Sequence, residues 1–400
     1  MSETAVANHI RKRPLWADAD WRAVAAAFAL NGLLFGVWAA RVPAFKETFD
    51  LAPGALGLLL LALAAGAIVS FPFAGGLSER WGADRLTVRC AWGYGPALLC
   101  LALAPNAILL GAALFVFGGL HGAMDVAMNG WGARVETRLG RSTMSIFHAL
   151  FSLGAGLGAA SGFLAVKLGY GPIAHFSAVA VFGGGAALFL MVPVLPKSAP
   201  ASRASGSRPV VILPSGALLL VGLIAFSVAI GEGAMADWSA VFLHTVVSAT
   251  EAQAALGYAA FSTTMVLTRF CGGILVERFG PVVTTRLSGL TAFAGLMMVI
   301  GTDVFAVALA GFALAGVGYA VVMPLVFSRA ASDAVMRPGP AIAGVATLSY
   351  GGMLLGPPAV GFLAQWAGLS TAFAALALLA LLAVLLAGQL RVQSGGEPPG

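Results

Sequence analysis

Gly75-Gly76-Leu77-Ser78-Glu79-Arg80-Trp81-Gly82 and Gly273-Ile274-Leu275-Val276-Glu277-Arg278-Phe279-Gly280 carry one pattern, 198 residues apart. Each closes an apolar run and then sets Glu, Arg and Gly at the same spacing. Gly162-Phe163-Leu164-Ala165 returns as Gly361-Phe362-Leu363-Ala364 after 199 residues, and Trp38 returns as Trp238 after 200. Anchors sharing nearly one offset define a parallel internal repeat of two half-chains.

The rest of the sequence says what each half is made of. The chain has 400 residues, 60% hydrophobic and 10% charged, with 52 glycines. A soluble domain has about 25% charged residues, so this composition cannot cover a soluble globule. It describes an all-α membrane protein. Runs of about 20 apolar residues suffice to cross a bilayer. Twelve fit, at 22–45, 54–77, 87–104, 107–131, 143–166, 173–195, 215–243, 254–276, 284–301, 304–328, 341–365 and 371–390. The Ser-, Ala- and Pro-rich stretch after the sixth has the composition of a tether. The expected organisation is an N-terminal segment 1–21, a six-helix bundle 22–195, a linker 196–214, a second pseudo-symmetric bundle 215–390 and a tail 391–400.

The formal charge of +6 does not imply nucleic acid, because the basic residues fall singly or in small groups between apolar runs. With both termini in the cytoplasm, every Lys and Arg except Arg41, Lys46, Lys167 and Arg269 lies on or beside the inner side, as the positive-inside rule requires. The expectation is a multi-pass protein of the inner (plasma) membrane, in contact with lipid. Cys90, Cys100 and Cys271 have no metal or disulfide spacing. No phosphate-cradling loop or nucleophile motif is present, so neither an enzyme nor a cofactor is expected.

Gly75, Glu79, Arg80 and Gly82 fit Gly-x-x-x-[Asp/Glu]-Arg-x-Gly, which resembles the signature loop of the major facilitator superfamily. Glu79 stands where Asp is commoner, and Asp84-Arg85 replaces the usual basic pair. Trp38-Ala39-Ala40-Arg41-Val42-Pro43, Asp125-Val126-Ala127-Met128-Asn129 and Glu232-Gly233-Ala234-Met235-Ala236-Asp237-Trp238-Ser239 resemble its fucose-permease-like branch, which includes the rhizopine-transport MosC-type proteins. The resemblance implies a monomer with its solute site at the midplane between two halves. It also implies gating by the two loops. Glu79 would approach the start of span 11 near Ala341, and Glu277 the start of span 5 near Thr143. Gly75, Arg80, Gly82, Gly273 and Arg278 complete those loops. The alternative for both loops is a solvated charged turn.

Several ionisable groups sit where a bilayer penalises them, by at least ~2.5–3.5 kcal/mol for a mid-span carboxylate. His121, Asp125 and Asn129 recur every four residues and share one helix face. Asp125 and His148 fall at similar depth on consecutive spans, so a carboxylate–imidazole pair able to pass a proton is expected. His121 reads as packing or hydrogen bonding. The repeat maps Asp125 onto Met323 and His148 onto Thr347, so only the first half carries this set. Glu232 lies deep in span 7 and suits a proton or a substrate. Arg41 forms an outer gate with Asp237, binds substrate or snorkels to the headgroups. Trp38 and Trp238 either stack on a ligand or belong to the interfacial belt. Asn31 offers a hydrogen bond to a hydroxyl, and Asn129 either does the same or braces Asp125. Arg269 is expected to reach cytoplasmic carboxylates such as Asp333 or to snorkel, and is not assigned to substrate. The reading that results is proton-coupled import of a small polar solute, sugar- or polyol-like. A drug or metabolite antiporter and a non-transporting sensor are the alternatives.

Overall fold

A computed structural model describes residues 14–141, 143–195, 216–333, 336 and 338–391. Arg11-Lys12-Arg13, the linker 196–214 and the tail beyond Arg391 lie outside the described residues. The described residues form twelve long helices. They are α1 Ala19–Thr48, α2 Pro53–Trp81, α3 Ala83–Ala102, α4 Ala107–Leu139, α5 Met144–Lys167 and α6 Pro172–Val194. After the linker come α7 Ala217–Thr245, then Leu256–Ile300, which Gly280 divides into α8 and α9. The last three are α10 Phe305–Ala330, α11 Pro338–Ala367 and α12 Leu369–Leu390.

Local chemistry sets the ends. Asp18 caps α1 by accepting from the Trp21 N–H at 2.9 Å, and Asn106 caps α4 through the Leu109 N–H at 2.9 Å. Gly82 ends α2 at φ 92° and ψ 139°, and Gly280 ends α8 at φ 74° and ψ 165°. Backbone in that region is essentially reserved for glycine. The two repeat loops therefore turn alike, for one reason: the last glycine of each motif lets the chain reverse without a loop. The expected interval between spans 8 and 9 is correspondingly absent, and helix resumes directly after the kink.

Glycines set the packing within each half. A Cβ on Gly32 or Gly36 of α1 would run into the Phe151 or Ala155 carbonyl of α5, and one on Gly154 of α5 into the Ala29 carbonyl. Small residues let backbones touch where lipid supplies no hydrophobic drive between helices. The second half repeats the contact between α7 and α11, where Gly352 meets the Phe226 carbonyl. Between halves, α2 packs on α11, α5 on α8 and α1 on α7.

Successive spans alternate direction, so the ends of α2, α4, α8 and α10 share one face. Arg80, Arg134, Arg138, Arg278 and Arg329 make this the basic face. The halves are tied at the opposite face. There Arg41 Nη1 lies 2.6 Å from Glu251 Oε1, His244 Nε2 pairs with Glu47, and the Gly54 N–H donates to Gln365 Oε1 at 3.0 Å. At the basic face the ends of α2 and α8 stand open. Phe73, Glu79, Arg80, Ile274, Glu277 and Arg278 are exposed, and a Cβ on Gly75, Gly76 or Gly273 would meet nothing within 4 Å.

Candidate functional site

The polar centre sits where α5, α7, α8 and α10 converge. Arg269 of α8 organises it, against the expectation that it would turn to Asp333. Its Nε donates to the Ala320 carbonyl at 3.1 Å, and its Nη1 donates across the half boundary to Ser152 Oγ at 3.0 Å. Its Nη2 lies 3.6 Å from Glu232 Oε2. Asp333 instead pairs with Arg329 one turn before it, at 2.9 Å. Glu232 Oε1 is buried with no hydrogen-bond partner among the described residues, as is the Tyr319 hydroxyl. The charges of Glu232, Asp237 and Arg269 all bear on Tyr258. A guanidinium with donors facing three ways can hold a carboxylate, a carbonyl and a hydroxyl together, which a lysine ammonium does not match.

In the first half, α4 carries Asp125 and Asn129. Asn129 Nδ2 donates to the Asp125 carbonyl at 2.8 Å and to Asp125 Oδ1 at 3.2 Å. The charge of Asp125 bears on Tyr350 of α11, in the other half. His121 is held by the Tyr94 hydroxyl at 2.9 Å and stacks on Phe35 at 5.3 Å. Phe35 in turn meets Tyr258 edge-on at 6.3 Å, across the halves.

Several expected contacts are not made. No ion pair or hydrogen bond joins Asp125 to His148 among the described residues. α5 packs along α1 rather than flat on α4, so equal depth does not bring the two side chains together. His148 rests edge-on against Phe28 at 5.2 Å and is exposed, and its charged neighbour is Arg269. Arg41 does not pair with Asp237. Glu251, from the connection after α7, takes its Nη1 first, and Asp237 is buried with no hydrogen bond or ion pair among the described residues. Neither does Arg41 snorkel, since it is 1% exposed.

Trp38 and Trp238 are 1% and 0% exposed. They fill the core of the tied end rather than an open surface or an interfacial belt, and their indole N–H groups have no acceptor among the described residues. Asn31 is fully buried, donating to the His121 carbonyl at 3.5 Å, so it braces α1 on α4 and does not face the centre. Glu79 and Glu277 make no hydrogen bond or ion pair among the described residues. The start of α5 expected to receive Glu277 is occupied by Glu136, whose Oε2 accepts the Met144 N–H at 2.8 Å and also takes that of Thr143. That satisfies orphan donors of the first turn locally.

Twelve spans in two like halves, with a polar centre between them, are the frame of one known class. The family model described as Major Facilitator Superfamily matches residues 23–338. The chain belongs to the major facilitator superfamily. Among relatives, "Uncharacterized transporter y4wD" of Sinorhizobium fredii (strain NBRC 101917 / NGR234) is 45% identical over 93% of this chain and 98% of its own. "Membrane protein MosC" of Rhizobium meliloti is 32% identical over 88% of this chain and 85% of its own. Among solved structures, a mutant form of the nucleoside transporter NupG superposes with a TM-score of 0.75 at 11% identity, covering 94% of this chain and 100% of that one. A bacterial homolog of the human lysosomal transporter Spinster, inward-facing and occupied, gives 0.67 at 16% identity over 92% and 94%. These two likenesses show the fold. This superfamily member is a multi-pass membrane transporter.

Sequence reasoning missed Tyr258, Tyr319 and Ser152 at the centre and Glu251 at the tied face. Signals existed for the tyrosines and for Glu251. The protein has only five tyrosines, and Tyr94, Tyr258, Tyr319 and Tyr350 all lie within spans. Thr250-Glu251-Ala252-Gln253 is a capping-box pattern, and the box forms, holding Glu251 in the first turn of a short helix beside Arg41.

Proposed function

We propose that this transporter couples protons to the movement of a small polar solute, sugar- or polyol-like, by alternating access across the inner (plasma) membrane. Both termini lie in the cytoplasm in this reading, which the placement of Lys and Arg supports. The basic face is then cytoplasmic, and the arrangement is inward-open with its outer gate shut. It acts as a monomer.

One observation carries the reading. At the junction of the halves, Glu232 keeps a buried oxygen without a partner beside an Arg269 that also grips the opposite half. A solute hydroxyl both donates and accepts, so it can donate to Glu232 Oε1 and accept from the Tyr319 hydroxyl. A proton on Glu232 cancels the charge that draws Arg269 toward α7 and leaves that arginine to Ser152. Protonation and the bond between halves are thereby linked. Asp125 is a second proton acceptor across the centre, with His148 modulating through Arg269. In the inward-closed state Glu79-Arg80 and Glu277-Arg278 latch the basic face, with Gly75, Gly82, Gly273 and Gly280 shaping the loops. Arg41 belongs to the outer gate, and Trp38, Trp238 and Asp237 become reachable only when that gate opens.

A second reading, efflux of amphipathic compounds against protons, draws on the aromatic pairs that cross the halves: Phe35 with Tyr258, and Phe71 with Tyr350 at 5.0 Å. The test is a thermal-shift screen of the purified protein against sugars, polyols, organic acids and dyes. Uptake of the hits into proteoliposomes under an imposed pH gradient follows. The expected result is accumulation of a polyhydroxylated solute when the outside is acid. Accumulation is lost in Glu232→Gln and Asp125→Asn, while solute exchange without a gradient persists. Gradient-driven accumulation unchanged in both variants would overturn the coupling role, and hits confined to dyes would favour efflux.

A further inference from the structure

Arg41 at the tied face is held by a histidine that no expectation used. His175 of α6 is 5% exposed. Arg41 Nε donates to its Nδ1 at 3.3 Å, and its Nε2 lies 2.8 Å from Ser161 Oγ of α5. Arginine can only donate, so Nδ1 is the bare nitrogen and Nε2 carries the hydrogen. Ser161 accepts that hydrogen, and its own hydroxyl donates to the Gly158 carbonyl at 2.6 Å. The chain of donors runs one way, from Arg41 through His175 and Ser161 to the α5 backbone. Arg41 has two further partners, the Tyr170 carbonyl and Glu251 Oε1. Glu251 alone of these belongs to the second half.

We propose that neutral His175 is the positioning residue of the outer gate, and that a proton taken up from the outer side releases Arg41 and loosens the tie between halves. A second ring proton would have to sit on Nδ1. It would place an N–H with positive charge against the guanidinium, where no acceptor exists. Among the described residues, Arg41 is the charged group of α1 bonded to the ring and α5 contributes the Ser161 hydroxyl; α3 also packs on α6 but carries its charged residues Asp84, Arg85 and Arg89 toward the basic face, and Glu251 acts through Arg41. A histidine ring freed from a neighbouring cation changes charge between pH 5 and 8, so acid favours the arrangement in which Arg41 has left the ring. The other histidine link on this face works in the opposite sense. His244 Nε2 pairs with Glu47, so protonation strengthens that contact. The two effects can therefore be separated by mutation. The inference concerns opening of the gate and stands apart from which solute moves or whether Glu232 carries the coupling proton.

The test uses nitroxide labels at Leu168 and Trp366, both exposed at the tied face and one in each half, with Cys90, Cys100 and Cys271 replaced by serine. Electron–electron distances are measured in lipid nanodiscs at pH 8 and pH 5. The expected result is a shift toward longer separation at pH 5. His175→Asn keeps an acceptor for Arg41 that takes up no proton, so it stays in the short distribution at both pH values. His244→Asn keeps or enlarges the shift. Ser161→Ala, which frees the ring's tautomer, raises the long-separation fraction already at pH 8. Absence of a shift in the unsubstituted protein, or a shift of undiminished size in His175→Asn, overturns the proposal. Loss of the shift in His244→Asn, with His175 intact, overturns it as well.

Discussion

Removing the charge of Glu251 should open the outer gate by an amount the geometry bounds. The pair to Arg41 is 2.6 Å long, with side-chain exposures of 2% for the arginine and 31% for the glutamate. A hydrogen bond to a charged group contributes about 1.5–3 kcal/mol net, and the exposure of Glu251 places this one toward the lower end through solvent screening. Glu251→Gln keeps the shape and the chance of a neutral hydrogen bond, so about 1–2 kcal/mol of preference for the tied state should be lost, or a factor of about 5–30 in the ratio of tied to open molecules. The same Leu168–Trp366 label pair reads that ratio directly. Arg41→Gln should move it by a similar amount, because of its three contacts only the one to Glu251 crosses between the halves. The double variant should move it less than the sum, with a coupling of about 1–2 kcal/mol. Strict additivity of the two substitutions would refute the gate, since it would mean the two residues stabilise the tied state independently.

The remaining expectations concern the centre, the packing and the surface. Arg269→Lys retains the charge but not the three-way fork, so initial uptake in proteoliposomes should fall about 10- to 100-fold, corresponding to one or two charged hydrogen bonds at about 1.5 kcal/mol each. Gly36→Ala drives a methyl against the Ala155 carbonyl and should destabilise by about 1–3 kcal/mol, read as a lowered unfolding temperature in detergent. Gly185→Ala, which meets nothing within 4 Å, should leave that temperature unchanged or raise it slightly. Arg138, bonded to Asp18, holds the Asp18 carboxyl below the usual carboxylate range. Its folded value being depressed, its stabilisation is complete above the unfolded value of about 3.9 and is lost as pH falls through the lower folded value. The pair is partly exposed, at 48% and 23%, so the effect is under about 1 kcal/mol. The difference in unfolding temperature between Asp18→Asn and the unsubstituted protein should therefore be constant from pH 5 to 8 and vanish in stronger acid.

The scaffold was legible because its causes are local or repeated. Apolar run length gives the spans, the motif glycines give the reversals at Gly82 and Gly280, and the offset of about 200 residues gives the two halves. Depth along a span was legible too, since Asp125, Glu232 and Arg269 do reach the interior. Azimuth was not. Asp125 and His148 share a depth but sit on helices that α1 separates, and Asn31 shares the depth of His121 yet points into its own half. Arg269 shows the limit most clearly. Its position inside a span was plain, but its partners come from three other helices, two of them in its own half and one across the boundary. No spacing along the chain encodes that meeting.

The same repeat that makes the frame readable also separates structure from function. At offsets of 198 and 199, Arg269 corresponds to Phe71, Ser152 to Gly351 and Phe151 to Tyr350. The two junctions that the pseudo-symmetry makes equivalent, α5 with α8 and α2 with α11, are therefore polar in one place and aromatic in the other. Arg269 meets Ser152 in the first, and Phe71 meets Tyr350 in the second. The gate follows suit, since Arg41 corresponds to Val241 and Glu232 to Gly32 at an offset of 200. Packing requirements are the same on both sides of the axis and are met on both by glycine contacts and apolar faces. A demand of stability would have been answered twice in the same way. Charges that appear once, each at the desolvation cost a membrane interior imposes, answer a demand that is itself one-sided. The proposed function, a solute held between unlike walls with a proton accepted on one of them, is such a demand.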